Sequence, residues 1–216
     1  AHIVTITTLL IMAGVGIWWR NNYRQQILQQ ERAAVTNHLN PYAKALENSI
    51  NRRFALMAGT TALVQADPSD EHLTLHFEEF AESLYSQASG IRNFGVYPGG
   101  KALYVYPIEG NEAIVGLNLL NDERPGVQAD LQRAMQTRRL TLSDPYELRQ
   151  GGWGLVARQA IFIDDEFWGF VTMVLNIPPI LEEAGINSAP ANLEFAIKGH
   201  DGVVSFGEEE VFESAP

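Results

Sequence analysis

Residues 3–19, IVTITTLLIMAGVGIWW, form an uncharged apolar run, and nearly two hundred residues of mixed polarity follow it. A bilayer core is about 30 Å thick and a helix rises about 1.5 Å per residue, so about 20 residues cross it. With Ala1 and His2 the run reaches that length. Trp18 and Trp19 stand where an aromatic belt would stand, and Arg20 marks the water side. A cleaved secretory leader would end its apolar stretch on small residues, whereas this one ends in Trp18-Trp19-Arg20. Residues 1–20 are therefore predicted to be a transmembrane anchor that contacts the membrane through Ile3 to Trp19, and the rest must fold outside the bilayer. Arg20 and Arg24 form a positive flank of the kind that normally stays cytoplasmic, so charge by itself leaves the topology open.

The remaining chain is long enough for one large domain or two small ones with a real core. Its formal net charge is −11 and its pI about 4.8, an acidic surface that repels phosphate backbones, so no nucleic-acid partner is expected. The lysines are Lys44, Lys101 and Lys198 alone, too scattered to hold the soluble part on anionic lipid. Without cysteine, disulfides, thiolate catalysis and thiolate metal sites are all excluded.

Residues 21–66 read as a stalk helix rich in Gln, Glu, Ala and Arg, with a kink or break near Pro41, which lacks a backbone donor and biases Asn40 away from the α region. Leu46, Ile50, Phe54, Met57 and Val64 form an apolar stripe that needs a partner: the same helix of a second protomer, or the body of this domain. A second helix begins after residues 67–70 and is predicted to bury Leu73, Phe77, Phe80 and Leu84. The period then changes to two. Strands are predicted at 91–97 and 101–107 around the turn Pro98-Gly99-Gly100, and a helix with Pro125 in its first turn runs to about Arg139. Three more strands follow near 140–148, 153–163 and 167–175, the last two a hairpin turning at Asp164-Asp165-Glu166. A short helix is predicted at 179–184, a linker at 188–190, and a final hairpin from 193–198 and 203–206 across residues 199–202. The central block reads as a five-stranded antiparallel sheet with helices on one face, a PAS-like arrangement. The expected fold is α+β: an N-terminal transmembrane helix and long stalk helix, then PAS-like antiparallel sheet domains with flanking helices.

The motifs for catalysis are weak. His72 and His76 are four apart on a helix with Glu79 a turn on, but Leu73 stands where a zinc-protease helix needs Glu, so a solvated helix face is the better reading and no metal is expected. There is no G-x-S-x-G elbow. Asp164-Asp165 are explained by turn chemistry. Gly151-Gly152-Trp153-Gly154 joins two strands and opens no helix, so it lacks the context of a phosphate cradle. This portion is read as non-enzymatic, with no cofactor.

Arg158 is sharper. It lies in an otherwise apolar strand, sharing a face with Val156 and Ala160. A guanidinium on a packed face is costly unless paired, so either an internal carboxylate meets it or a cavity there takes an acidic or polar ligand. Tyr104 and Tyr106, Tyr146, and Phe170 with Thr172 could complete a mixed lining suited to a small molecule; tyrosines at period two are equally compatible with core.

Segment 106–120, YPIEGNEAIVGLNLL, resembles the CHASE domain family, extracytoplasmic sensory domains of histidine kinases and nucleotide cyclases. The likeness continues through Arg133-Ala134, LSDPY at 142–146, LRQGGWG at 148–154, RQAIF at 158–162 and FWGF at 167–170, and covers about 46–186. The resemblance implies a stalk helix and then two PAS-like units, with the ligand in the membrane-distal one. Leu119, Leu148 and Phe170 fall on pocket-lining positions of the family. The aspartate that the family's plant hormone receptors place early in the helix falls at Val127, with Asp122 and Glu123 on a different turn. Their following-strand threonine falls at Arg158, so a purine-type hormone does not fit and an anionic or polar molecule suits better.

The reading is then an extracytoplasmic ligand-sensing region: residues 1–20 anchor, 21–66 stalk, 67–178 membrane-distal PAS-like sensing unit, and 179–216 exit helix with the start of an incomplete membrane-proximal unit. Its ligand-binding candidates are Arg158, Tyr104, Tyr106, Leu119, Tyr146, Leu148, Phe170 and Thr172. It is expected in the inner membrane with its soluble part periplasmic, a homodimer through the stalk helix, signalling to a histidine kinase, diguanylate cyclase or phosphodiesterase outside these residues. The alternative is a membrane-anchored interaction or structural module with no small-molecule ligand.

Overall fold

A single helix, α1 (His2–Ala66), takes up 65 residues, including Pro41 in its interior. Of the two outcomes expected at Pro41, a break does not occur. Proline frees one carbonyl, that of Asn37, and Asn37 is exposed, so solvent satisfies it and the helix carries on. The computed structural model describes residues 2–190, 193–199 and 204–214. Among the described residues no helix is long and apolar enough to cross a membrane. The expected anchor at 3–19 lies mostly on residues whose side chains fall outside the described ones.

Helix α2 (Asp70–Tyr85) begins where the Ser69 hydroxyl accepts the His72 N–H at 3.3 Å, and Asp70 and Glu71 add negative charge to its first turn. It buries Leu73, Phe77 and Ala81; Phe80 and Leu84, expected in the core, are only half-buried.

The sheet consists of β1 (Ile91–Pro98), β2 (Tyr104–Tyr106), β3 (Thr141–Leu142), β4 (Tyr146–Glu147), β5 (Trp153–Ile163) and β6 (Glu166–Asn176). Its order is β2-β1-β6-β5-β3, all antiparallel, with β4 also paired to β5. The strand predicted at 140–148 is thus two short pieces separated by Asp144-Pro145, because proline cannot donate to the ladder. The hairpin of β5 and β6 turns on Asp164 and Asp165, whose φ angles of 50° and 65° give the mirror-image turn that matches strand twist.

Helices cover both faces of this sheet, not one. On one face α1, α2 and α4 (Ile177–Glu183) close a core of Met57, Val64, Phe77, Phe94, Ile161 and Met173. The stripe of α1 is used here: Met57 and Val64 are fully buried, and Leu46, Ile50 and Phe54 pack beside them on their own domain. On the other face α3 (Pro125–Thr137) and the segment 107–121 cover Tyr97, Ala160 and Phe170. After α4 come β7 (Ile197–Lys198), β8 (Val204–Phe206) and α5 (Glu210–Ser214); the turn expected at 199–202 falls largely outside the described residues.

Candidate functional site

Register places Gly95 of β1, Thr172 of β6 and Arg158 of β5 side by side in one row across three strands, on the face under α3. Gly95 leaves that row open. A Cβ there would stand 2.6 Å from the Tyr97 ring and 3.0 Å from Thr172 Oγ1. The ring of Tyr97 therefore lies back along its own strand over the glycine. Tyr97, Thr172 and Arg158 floor a cavity of about 40 Å³.

Arg158 is 3% exposed. Its Nη1 donates to Asp130 Oδ2 at 3.4 Å, a long contact, and its Nη2 donates to the Tyr146 hydroxyl. Its Nε has no hydrogen-bond partner among the described residues, and neither has the Thr172 hydroxyl directly across the ladder. Asp130 comes from α3, where it shares the buried stripe of Val127, Leu131 and Ala134. Burial pushes its carboxyl above the usual range, against the pull of the Arg158 and Arg133 charges; Arg133 sits 2.7 Å away. Burial also raises the Tyr97 phenol, a shift that the nearby Thr172 hydroxyl tempers without reaching hydrogen-bond geometry.

The rim is a second ionic group. The Asp122 side chain is fully buried and accepts from Arg124 at 2.7 and 2.9 Å, and Arg149 reaches it at 3.2 Å. Hydrogen bonds from Arg124 hold the Asp122 carboxyl far below the usual range in spite of burial. Arg124 also donates to the Glu147 carbonyl at 2.9 Å, fastening the start of α3 to β4. Gln150 seals another side, donating to Asn111 Oδ1 at 3.2 Å and to Asn93 Oδ1 at 3.4 Å.

Of the eight predicted binding residues, Arg158, Thr172, Tyr146, Leu148 and Leu119 line this cavity together. Phe170 lies on the same face but is fully buried in the core under α3. Tyr104 and Tyr106 belong elsewhere. On β2 it is Val105 that faces α3, so both tyrosines face α2, where Tyr104 bonds Asp70 and Tyr106 packs edge-on to Tyr85 at 5.8 Å. The structure adds Asp122, Arg124, Asp130, Arg149, Gln150 and Tyr97 to the residues in and behind the lining. The stripe position of Asp130 was the readable signal for the carboxylate that Arg158 required. Asp122 gave none, since its role depends on a loop closing over β4.

The cavity has room for a few waters at about 10–15 Å³ each, well short of the roughly 300–1,000 Å³ of a drug-sized site. A metabolite enters only if the rim of Arg124, Arg149 and Gln150 yields. Elsewhere, the rings of His72 and His76 lie 4.7 Å apart on α2, tilted by 55°, and among the described residues no three metal-ligating side chains converge. Gly151 and Gly152 turn with φ of 84° and 73°, and the Gly151 carbonyl accepts from Arg92, a structural use of the glycine run.

The family profile for the CHASE domain matches residues 40–211. Among solved structures, an extracellular ligand binding receptor from Desulfohalobium retbaense superposes with a TM-score of 0.52 at 17% identity, over 83% of this chain and 30% of its own. The sensory domain of the Campylobacter jejuni chemoreceptor Tlp3 with isoleucine bound gives 0.54 at 11% identity, over 86% of this chain and 75% of its own. The ligand-binding domain of the Pseudomonas fluorescens chemoreceptor CtaA in complex with L-serine gives 0.54 at 16% identity, over 83% and 75%. The chain thus spans less than a third of the first and three quarters of the other two. These likenesses establish the fold alone, an antiparallel sheet behind a long helix. No curated protein matches the chain at a significant level.

Proposed function

The chain belongs to the CHASE domain family, whose members are ligand-binding sensory modules and not catalysts, and on that premise we propose that it is the extracytoplasmic ligand-sensing region of a transmembrane signalling receptor. The ligand is a small anionic or polar molecule held over β5 and β6. The observation that carries this is the pair Arg158 and Thr172: two buried side chains opposite each other, each with a polar atom lacking a partner among the described residues, both lining one cavity. Buried polar groups are ordinarily satisfied, and a carboxylate satisfies both at once. The chemoreceptor domains of like fold hold isoleucine and L-serine, each of which carries a carboxylate.

In this proposal residues 1–20 anchor the chain in the inner membrane and 21–66 form the stalk. Residues 67–178 are the distal sensing unit, and 179–216 begin a proximal unit. Met12, Trp18 and Trp19 support the anchor, being 73%, 65% and 71% exposed on α1 with no protein surface to cover them. Removing residues 1–20 then moves the chain from the membrane fraction to the soluble fraction. Dimerisation through the stalk, a periplasmic placement and a kinase, cyclase or phosphodiesterase output complete the reading by family analogy. A ligand acts by its differential affinity for two packings of the dimer.

The test is thermal unfolding of the intact chain in detergent against amino acids, carboxylates and purines. A true ligand at 100 times its Kd adds about 2.7 kcal/mol, which raises Tm by roughly 5–10 °C at this size. Arg158→Ala abolishes that rise; a rise that persists unchanged places the site elsewhere. The small cavity favours a second reading, a structural or partner-binding module, which predicts no rise with any metabolite.

A further inference from the structure

The lining of the cavity contains three guanidiniums, those of Arg124, Arg149 and Arg158, and no carboxylate, in a chain with 26 acidic and 15 basic residues. The acids stand behind the arginines. Asp122 is buried behind Arg124 and Arg149, and Asp130 behind Arg158. The three cations also differ in depth: the Arg158 side chain is 4% exposed, those of Arg124 and Arg149 are 37% and 45% exposed. Tyr146 joins the two levels, since the Arg158 and Arg124 guanidiniums lie 5.8 and 5.4 Å from the centre of its ring.

We infer that the ligand is a short dicarboxylate, which rests on the sensing role proposed above and goes beyond it by assigning a deep and an outer anion site to the same cavity. The deep carboxylate accepts a hydrogen bond from Arg158 Nε on one oxygen and from the Thr172 hydroxyl on the other, two donors that lack partners among the described residues. The outer carboxylate lies between Arg149 and Arg124, which Asp122 holds in place. A single-carboxylate ligand fills the deep site and leaves the outer pair to water. A cationic amine at the outer end meets two guanidiniums and is repelled. Arg124 also pins the start of α3 to β4 through the Glu147 carbonyl, so the second carboxylate bears on the join between those two elements.

The experiment is calorimetric titration of the intact chain in detergent at fixed ionic strength with succinate, its half-amide succinamate, propionate and glycine. Succinate is expected to bind at least tenfold tighter than succinamate, with glycine weakest. Arg149→Gln, at an exposed position, reduces succinate affinity at least fivefold and succinamate affinity far less. Arg158→Gln abolishes both. Equal affinity for succinate and succinamate, or a succinate preference that survives Arg149→Gln, overturns the inference. If glycine or another amino acid binds through Arg158 while both succinate and propionate fail, the dicarboxylate is wrong and the sensing role stands. If none of these probes, nor any amino acid or purine, binds, both fall.

Discussion

Arg53, buried in α1, meets Glu183, at the end of α4, at 2.8 Å, so the helix that precedes the sheet is bonded to the helix that follows it. The Arg53 side chain is fully buried and also donates to the Ser89 carbonyl at 2.6 and 3.1 Å and to Ser49. Burial opposes the charge of Glu183, yet hydrogen bonds from Arg53 and Ser49 hold its carboxyl below the usual range. Three segments that are distant in sequence, around residues 53, 89 and 183, thus share one guanidinium.

Glu183→Ala strands the Arg53 charge and is expected to cost about 3 kcal/mol, the figure for breaking a buried pair from one side. At this size that lowers Tm by roughly 6–12 °C. The double variant Arg53→Met, Glu183→Leu recovers part of the loss, since no lone charge remains inside. Thermal unfolding by circular dichroism decides it: a single variant within a degree of wild type contradicts the account.

Gly95→Ala introduces a methyl where Tyr97 and Thr172 already stand at 2.6 and 3.0 Å. Overpacking of this kind costs about 1–3 kcal/mol. Tyr97 must swing into the cavity, so ligand response falls further than stability does. Parallel measurements of Tm and of ligand-induced Tm rise separate the two; an unaltered ligand response would show that the floor of the cavity is not where the ligand lies.

Asp122 governs acid sensitivity. A carboxyl whose folded pKa is depressed adds stability above its unfolded value, near 3.9, and loses it as pH falls through the folded value. Hydrogen bonds from Arg124 lower Asp122 strongly, so its contribution is intact at pH 5 and fades below about pH 4. Asp130 runs the other way: burial raises it, so its charged form costs stability once pH exceeds the ordinary carboxylate range. Asp122→Asn is therefore expected to flatten the fall of Tm on acidification below pH 4 relative to wild type. Equal slopes in the two proteins would remove Asp122 from that role.

The two faces of the sheet give a discriminating set. Tyr146→Phe removes the hydroxyl that accepts from Arg158 and weakens ligand binding several-fold. Tyr106→Phe, on the opposite face, leaves binding as it is. A larger effect from Tyr106 than from Tyr146 reverses the assignment of the site to the α3 side.

Much of the architecture was readable from alternation and turn chemistry. The apolar period and the Asp164-Asp165 turn mark the strand near 153–163, and Pro125 marks the start of α3. Strand parity showed that Arg158 faces inward, and its neighbours Tyr146, Leu148 and Thr172 were found with it. Parity alone does not say which of two covered faces holds the cavity, and Tyr104 and Tyr106 lie on the α2 side of β2. Helix coverage of both faces depends on where the 107–121 segment crosses, a long-range packing outcome with no local signal. Asp122 and Arg149 meet only after two loops close, and no spacing in the sequence encodes that contact.

The α1 helix has a mechanical corollary. From its contact with α4 near Arg53 back to residue 3 it extends about 75 Å at 1.5 Å per residue. On a rod of that reach, a pivot of a few degrees at the Arg53 joint sweeps the remote end through several ångströms. The Arg53 joint is thus a fulcrum, at which a shift too slight to change the fold becomes a large displacement at the far end of the rod.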